Sequence, residues 1–317
     1  MVRTAFIYHP DCELHLAGLE HPEHPSRLQA IRRHLSNLGL DRQLLMEQVN
    51  DKASLDDLRR VHHPDHIERI EQSQPKQGHR FLDSDTVMDS HSWDAALLAA
   101  GSGVMAIKDI MAGTYERAFC AVRPPGHHAE ANLSMGFCLF NNIAIAAQTL
   151  RHLYDIERIA IIDFDVHHAN GTADIFHKVP QVLLLNSFEQ SLFPERLLQP
   201  AHSKQLFHCW QADQSFSAME QLWQQHWLPA IEAHRPQFFF ISAGFDAHEA
   251  ETLAHQNWHS QHYYWLTAQI VEQAKRFASG RLLSMLEGGY HLQALSVSVE
   301  KHLLALMERP YDWTRSA

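Results

Sequence analysis

The chain has 317 residues, of which 45% are hydrophobic and 20% charged, a composition typical of a globular protein with a large core. Its formal net charge of -11 speaks against a protein whose main task is to bind nucleic acid, because such proteins usually carry a basic surface. The four scattered cysteines form no CxxC pair, which is typical of reduced thiols in a cytoplasm. The N-terminus does not resemble a signal peptide, and no unbroken apolar run has membrane-spanning length. We therefore expect a cytoplasmic enzyme without a membrane partner.

Short apolar strands alternate with longer helical patterns along the chain. The strands are predicted at 4–8, 118–122, 158–164, 182–186, 237–242 and 281–286. The helices are predicted at 26–38, 91–111, 141–153, 217–234 and 258–278, with another after Tyr290. This alternation predicts a single α/β domain over residues 1–317, with a mostly parallel sheet and helices on both faces.

Polar motifs follow four of these strands, at the sheet edge where open α/β folds bind ligands. They are Arg123-Pro-Pro-Gly-His127-His128, Asp163-Phe-Asp165-Val-His167-His168, Ser242-Ala-Gly-Phe-Asp246 and Glu287-Gly-Gly-Tyr290. The polar interval 71–90, which contains Asp83 and Asp85, is too long for a simple connection and is predicted to form part of a site rim.

The motif after the third predicted strand indicates a metal. In an extended segment Asp163, Asp165 and His167 point to the same side, and paired acids in a core are costly unless a cation neutralises them. Zinc hydrolases keep three protein ligands and one open position, and Asp165, His167 and Asp246 would make such a set. Taken alone, Asp246 is as readily explained as an acid in a loop after a strand as it is as a metal ligand. Asp163 is either a buried acid that accepts hydrogen bonds from backbone amides or an acid that orients a histidine.

His127 and His128 project from a rigid Pro-Pro-Gly turn. Adjacent histidines are a weak signal in a chain with 26 of them, but metal hydrolysis needs a base for water and an acid for the leaving amine. Asp163 and Asn170 are suited to fix the two imidazole tautomers. One charged and one neutral partner would separate the two histidine pKa values.

Aromatic residues complete the candidate site. Tyr290 follows a Gly-Gly turn, where its hydroxyl would stabilise an oxyanion, although without the other motifs an aromatic packed on the surface is the preferred interpretation. Phe137, after Gly136, and Phe193 would wall a narrow channel for an aliphatic chain, or else both belong to the core.

Together these motifs resemble the histone deacetylase and acetylpolyamine amidohydrolase superfamily, in particular the class II-like bacterial amidohydrolases. The resemblance covers nearly the whole chain, from Tyr8-His-Pro-Asp11 and His21-Pro-Glu-His-Pro-Ser-Arg27 to Glu287-Gly-Gly-Tyr290. It implies an arginase-like α/β fold with about eight parallel strands.

The resemblance also implies roles for individual residues. Zinc would lie on Asp165, His167 and Asp246. His128 would act as general base and acid, with His127 as its electrostatic partner tethered by Asp163. Tyr290 would polarise the acetyl carbonyl, and Asp85 would be the rim acid that holds the substrate backbone. A structural potassium ion is implied near Asp163, Asp165, His167 and Ser187.

Substrate choice depends on the segment Glu249-Ala-Glu-Thr-Leu253. Polyamine-selective relatives can carry a gatekeeper glutamate where this chain has Leu253. The segment departs from the commoner Gly-Asp-Pro-Leu-like pattern, and its two acids would still attract a polyamine.

The leading hypothesis is a zinc-dependent deacetylase that acts on an acetylated lysine peptide or a small acylated amine. An acetylpolyamine amidohydrolase is the nearest alternative. A two-manganese, arginase-like ureohydrolase would need further bridging acids, and an inactive acyl-lysine binding module would not need Tyr290 or the histidine pair. The sequence leaves a homo-oligomer open.

Overall fold

Eight parallel strands form the central sheet of the computed structural model, which describes residues 2–194 and 197–311. In chain order they are β1 (Thr4–Tyr8), β2 (Leu45–Gln48), β5 (Arg117–Cys120), β6 (Ile159–Asp163), β7 (Val182–Glu189), β8 (Gln205–Trp210), β9 (Phe238–Ala243) and β10 (Leu282–Leu286). Their order across the sheet is β2-β1-β5-β10-β9-β6-β7-β8. Two short strands, β3 (Arg80–Phe81) and β4 (Val87–Met88), pair as a separate antiparallel hairpin.

Helices connect and cover these strands. They are α1 (Ser26–Asn37), α2 (Leu55–Arg59), α3 (Pro64–Ser73), α4 (Ser92–Ala112), α5 (Asn142–Leu153), α6 (Asn170–Ile175), α7 (Phe216–Leu222), α8 (Leu228–His234), α9 (Ser260–Ala278) and α10 (Leu292–Leu306). A π-helical turn, Trp223–Trp227, joins α7 to α8, and short 3-10 turns lie at Pro10–Glu13 and Asp41–Gln43.

Helices lie on both faces of the sheet, as neighbouring residues of β10 illustrate. Ser284 bonds to His302 of α10, at 2.8 Å between Oγ and Nε2. Met285 lies against Gly103 of α4 on the other face. Because consecutive strand residues point to opposite sides, these contacts place α10 and α4 on opposite faces. The predicted single α/β domain with helices on both faces is confirmed.

The six predicted strands are all present: β1 has the predicted bounds, and the ends of the others differ from the predicted ones by at most three residues. Strands β2 and β8 were not predicted, and both lie at the edges of the sheet. Most of their side chains are partly or fully exposed, so neither segment has the continuous apolar run that marks the central strands. The predicted helix 217–234 is found as α7, the π turn and α8.

Helix α4 is long and apolar enough to cross a membrane by length and composition alone. However, 72% of its most apolar window is buried inside the fold. It packs against α5 and against strands on one face of the sheet. Core packing therefore accounts for the apolar character of this helix.

Candidate active site

The carboxyl ends of the central strands bring the sequence motifs together. Asp163, the last residue of β6, is in register with Asn186 of β7 and with Ser242 of β9. Leu286 of β10 is in register with Ala243 of β9. Because these strands are parallel and aligned, the segments that follow them converge at one edge of the sheet.

Asp165, His167 and Asp246 form a cluster suited to a metal ion. Their potential ligand atoms all lie within 4.8 Å of one another. Nδ1 of His167 is 2.8 Å from Oδ1 of Asp165 and 3.2 Å from Oδ2 of Asp246. Two carboxylates and one imidazole are typical ligands of zinc and similar divalent cations.

The surroundings of these oxygens fit a cation. Among the residues that the structure describes, Oδ2 of Asp246 is a buried oxygen whose 3.2 Å contact with Nδ1 of His167 does not have the geometry of a hydrogen bond. Burial and the neighbouring Asp165 raise the pKa of Asp246 to about 6. A Cβ atom at Gly288 would lie 2.1 Å from Oδ2 of Asp246 and 2.5 Å from Oδ2 of Asp165, so glycine leaves the space around the two oxygens free. A cation here would supply the partner that Oδ2 of Asp246 lacks, while Oδ1 accepts the amide of Val166 at 3.0 Å.

His127 is held by Asp163. Its Nδ1 donates to Oδ2 of Asp163 at 3.0 Å, while Oδ1 of the same carboxylate accepts the amide of Asp165 at 3.1 Å. Burial opposes the charged imidazole, but the carboxylates of Asp163 and Asp165 outweigh it and raise the pKa of His127 to about 10. His127 is therefore a cation at neutral pH.

His128 is held by Asn170, at the start of α6. Its Nδ1 lies 2.8 Å from Oδ1 of Asn170, whose amide nitrogen donates to Oε1 of Glu130 at 2.9 Å. The amide oxygen only accepts, so Nδ1 carries the proton and Nε2 keeps a lone pair. Burial and the adjacent charge of His127 hold the pKa of His128 well below its usual value. The pair thus consists of a cation beside a neutral base.

A cavity of about 180 Å³ leads to these groups. Its lining brings together most of the residues singled out in the sequence: Asp85, His127, His128, Gly136, Phe137, His167, Phe193, Leu253 and Tyr290, together with Pro125, Leu192 and Gly288. The volume lies below the range of about 300–1,000 Å³ that drug-sized ligands occupy, so the cavity suits a narrow acyl-amine chain.

Two phenylalanines form walls of this cavity. Phe193 packs edge-on against the ring of His128, with ring centroids 4.9 Å apart, and Phe137 packs edge-on against Tyr290 at 5.9 Å. Gly136 has a φ of +55°, and a Cβ there would lie 2.4 Å from the His128 ring. The backbone therefore approaches the imidazole closely at this point.

Asp85 lies at the rim, in a turn organised by Asp83. Oδ1 of Asp83 accepts the amides of Asp85 at 3.0 Å and Thr86 at 2.6 Å. The main-chain oxygen of Asp85 bonds to Nε2 of His21 at 3.1 Å. Partial burial and the charge of Asp83 raise the pKa of Asp85. The polar interval 71–90 thus supplies a cavity residue, as well as the β3–β4 hairpin.

Tyr290 lies on the cavity wall next to Arg27. The guanidinium carbon of Arg27 is 4.9 Å from the centre of the phenol ring. Burial raises the pKa of Tyr290 well above its usual value, so its hydroxyl keeps its proton and can donate a hydrogen bond.

Ser187 is buried in β7, immediately after Asn186, the register partner of Asp163. Both carboxylate oxygens of Asp163 already accept hydrogen bonds from the protein. The implied potassium ion near Asp163 and Ser187 stays a prediction.

Glu287 is a site residue whose role was not predicted. Its Oε2 accepts the amides of Gly126 at 2.7 Å and His127 at 3.1 Å, so it fixes the turn that carries the histidine pair. Burial raises its pKa to about 7. An acid directly after an apolar strand, such as Glu287 after β10, marks a candidate site residue in the sequence. The amide of His127 that it binds lies 160 residues away, so this partner cannot be inferred from the sequence.

The two acids of the segment 249–253 do not line the cavity. Glu249 is exposed and pairs with His259, at 2.7 Å between Oε1 and Nδ1. Glu251 is buried and accepts main-chain amides. Leu253 alone of this segment reaches the cavity, so the expected attraction of a polyamine by the two acids has no geometric support.

Comparison with known proteins agrees with this site. The sequence model of the histone deacetylase domain matches residues 21–306. The chain belongs to the histone deacetylase family. The resemblance seen in the motifs is thereby confirmed, and a deacetylase or amidohydrolase activity of this family follows.

Individual relatives extend over nearly the whole chain. A histone deacetylase-like amidohydrolase of Pseudomonas aeruginosa is 32% identical and aligns with 91% of this chain and 82% of its own length. A probable deacetylase of Archaeoglobus fulgidus is 29% identical, with 96% of this chain and 86% of the relative aligned. The crystal structure of the HDA15 HD domain superposes with a TM-score of 0.90 at 29% identity, covering 97% of this chain and 89% of that one.

Proposed function

We propose that this protein is a zinc-dependent deacetylase that hydrolyses the amide of ε-acetyl-lysine or of a related acylated amine. The observation that carries the proposal is the cluster of Asp165, His167 and Asp246 beside a narrow cavity that His128 and Tyr290 also line. These three side chains would hold the zinc ion, which when bound would supply Lewis acidity for the attack of water on the acetyl carbonyl.

The histidine pair handles the protons in this proposal. Nε2 of His128, freed by the hydrogen bond of Nδ1 to Asn170, takes a proton from the attacking water and passes it to the leaving amine. His127 stays cationic beside Asp163 and stabilises negative charge that develops nearby.

The cavity wall orients the substrate. The neutral phenol of Tyr290 donates a hydrogen bond to the oxyanion that forms from the acetyl carbonyl. Phe137 and Phe193 enclose the aliphatic chain of the acylated amine and exclude water around it. Asp85 at the rim accepts hydrogen bonds from the backbone amides of a peptide substrate.

The residues of the cavity and of the metal cluster also help to choose between the proposed deacetylase and the alternative functions. Leu253 gives the cavity an apolar position where a cationic polyamine would need an acid, which favours acetyl-lysine over acetylspermidine. The described residues contain a single cluster of three potential metal ligands, which favours one catalytic ion over the two manganese ions of an arginase-like site. The neutral base and the phenol speak against a module that only binds acyl-lysine.

Metal analysis combined with activity tests the proposal. We expect about one zinc per chain and hydrolysis of an acetyl-lysine peptide. Asp165→Ala should lose both zinc and activity, and Tyr290→Phe should keep zinc but lose roughly 100-fold in kcat. Glu249→Gln, which removes an exposed acid outside the cavity, is the matched control. Full activity in both active-site variants would contradict the proposal.

A structural potassium ion is a second part of the proposal. It would lie near Asp163 and Ser187 and stabilise the β6 and β7 strand ends. The melting temperature should then be higher in KCl than in NaCl of equal ionic strength, and the Ser187→Ala variant should lose this difference.

A further inference from the structure

The segment after β9 carries a buried acid, Glu251, whose carboxylate binds the main chain of the tyrosine loop. Only 8% of the residue is exposed. Its Oε2 accepts the amide of Tyr290 at 2.7 Å and that of His291 at 3.1 Å. Its Oε1 accepts the amide of Thr252 at 3.1 Å. Three main-chain donors therefore converge on one buried carboxylate, and hydrogen bonds to a charged acceptor are among the stronger ones in proteins.

Glu251 holds the residue that carries the phenol, while Nε of Arg27 donates to the main-chain oxygen of the preceding Gly289 at 2.7 Å. Gly288 and Gly289 precede Tyr290, and Gly289 has a φ of +111°, a conformation that residues with side chains rarely adopt. A turn of two glycines gives the phenol little restraint from its own backbone. The hydrogen bond from the Tyr290 amide to Glu251 fixes the main chain at the residue that carries the phenol.

The same acid also belongs to the segment that carries Leu253. Leu253 follows Glu251 by two residues and lines the cavity together with Tyr290. Further along, Oε2 of Glu189 accepts the amide of His255 at 2.9 Å, and its Oε1 bonds to Nδ1 of the same residue at 2.8 Å. The Leu253 segment is therefore held at both ends by buried carboxylates.

We propose that Glu251 is a positioning residue for the hydrolysis. Through the main-chain amide of Tyr290, Glu251 sets the position of the phenol and couples that position to the cavity wall formed by Leu253. The kinetic part of this inference rests on the proposed deacetylase function. Both oxygens of Glu251 are engaged by amides of the protein, so the residue acts on the loop and does not recognise a cationic substrate.

A double-mutant cycle with Tyr290 tests the kinetic part. Glu251→Ala should lower kcat on an acetyl-lysine peptide by roughly 10- to 100-fold with KM changed less than about 3-fold, because a small misplacement of a catalytic group has an effect of this size. In a Tyr290→Phe background the same substitution should lower kcat by less than about 3-fold, because no hydroxyl is left to misplace. Equal losses in both backgrounds would overturn the inference.

Conservative variants guard against a folding defect. Glu251→Asp retains the carboxylate and should recover most of the kcat lost in Glu251→Ala. Glu251→Gln keeps the length of the side chain but sets an amide group against the three donors, so an intermediate loss is expected. If Glu251→Ala does not fold, Glu251→Gln takes its place in the double-mutant cycle with Tyr290→Phe. Glu249→Gln, two residues away and exposed, should match the wild type.

Hydrogen–deuterium exchange tests the structural part without any activity. In Glu251→Ala, or in Glu251→Gln if the alanine variant does not fold, the amides of Tyr290 and His291 should exchange at least about 10-fold faster than in the wild type and in Glu249→Gln, since they lose a buried acceptor. Unchanged exchange in this segment would overturn the inference. A wild-type protein without deacetylase activity would contradict the proposed function, and the exchange result would still decide the role of Glu251.

Discussion

Nδ1 of His128 donates to Oδ1 of Asn170 over 2.8 Å, and this contact decides which nitrogen of the imidazole can act as a base. The amide of Asn170 is itself oriented by Glu130, whose Oε1 accepts its Nδ2 proton at 2.9 Å. Burial and the neighbouring charge of His127 keep His128 uncharged, and its hydrogen bond to the neutral amide of Asn170 does not offset them, whereas the carboxylates of Asp163 and Asp165 make His127 a cation. Two adjacent histidines thus differ in charge because carboxylates outweigh the cost of burial at His127 and do not at His128.

Replacing Asn170 should therefore change the pH profile of the enzyme. In Asn170→Asp the new carboxylate stabilises the imidazolium and raises the pKa of His128, so a larger fraction of the base is protonated at any given pH. The acidic limb of the kcat profile should move to higher pH, and Asn170→Ala should lower kcat by about 10- to 100-fold without this displacement. Rate profiles from pH 5 to 9 measure both effects, and an unmoved acidic limb in Asn170→Asp would argue against His128 as the base.

Gly288→Ala should damage the metal cluster. The added methyl group would lie 2.1 Å from Oδ2 of Asp246 and must push that carboxylate away. We expect zinc affinity to fall by at least about 10-fold, measured by competition with a chelating dye. Gly103→Ala is the matched control, because its Cβ would crowd Ala146 at 2.9 Å in the core, away from the cluster. It should lower stability and leave zinc affinity unchanged, and equal zinc loss in both variants would refute the prediction.

Leu253→Glu should alter substrate preference. An acid at this cavity position attracts a cationic substrate, so kcat/KM for acetylspermidine should rise relative to that for an uncharged acetyl-lysine peptide by about 10-fold. Glu249→Gln should leave the ratio of the two rates unchanged because its side chain pairs with His259 outside the cavity. An unchanged ratio in Leu253→Glu would place the amine of the substrate elsewhere.

His302 should make the fold sensitive to acid. Burial lowers its pKa to about 3, and its ring nitrogens bond to Thr267 at 2.6 Å and Ser284 at 2.8 Å. A histidine in the unfolded chain has a pKa of about 6.5 and therefore takes up a proton more readily than His302 does in the folded chain. The contribution of neutral His302 to the free energy of unfolding is thus fully present above pH 6.5 and is lost as the pH falls toward 3. In His302→Gln the free energy of unfolding should depend less steeply on pH between 6.5 and 4.

Urea unfolding at several pH values measures this slope. The exposed His63→Gln is the control and should keep the wild-type slope. An identical slope in His302→Gln and the wild type would show that another group governs acid unfolding.

The sequence predicted those parts of the fold and site that have a local signature. Strand β6 is a continuous apolar run whose polar exit is visible in the sequence, and the side chains of Asp165 and His167 do lie together with Asp246. Edge strands β2 and β8 have no such run, because one or both of their faces meet solvent. They become strands through pairing with β1 and β7, which only the folded chain supplies.

The same reasoning separates predicted from unpredicted site residues. His128 and Tyr290 stand in short motifs that follow a strand, so their position could be inferred. The roles of Glu251 and Glu287 depend on main-chain amides that are 39 and 160 residues away in sequence. Glu287 can be noticed as an acid directly after an apolar strand, but the neighbourhood of neither residue indicates which distant amides its carboxylate binds.

Removal and return of the metal tests the central claim most directly. The purified protein would be stripped with a chelator and titrated with zinc while hydrolysis of an acetyl-lysine peptide is followed. We predict that activity disappears on stripping and returns in proportion to zinc, with saturation near one ion per chain. The Asp246→Ala variant should not recover under the same conditions. Undiminished hydrolysis by the stripped protein, or full recovery in Asp246→Ala, would contradict a catalytic zinc on Asp165, His167 and Asp246.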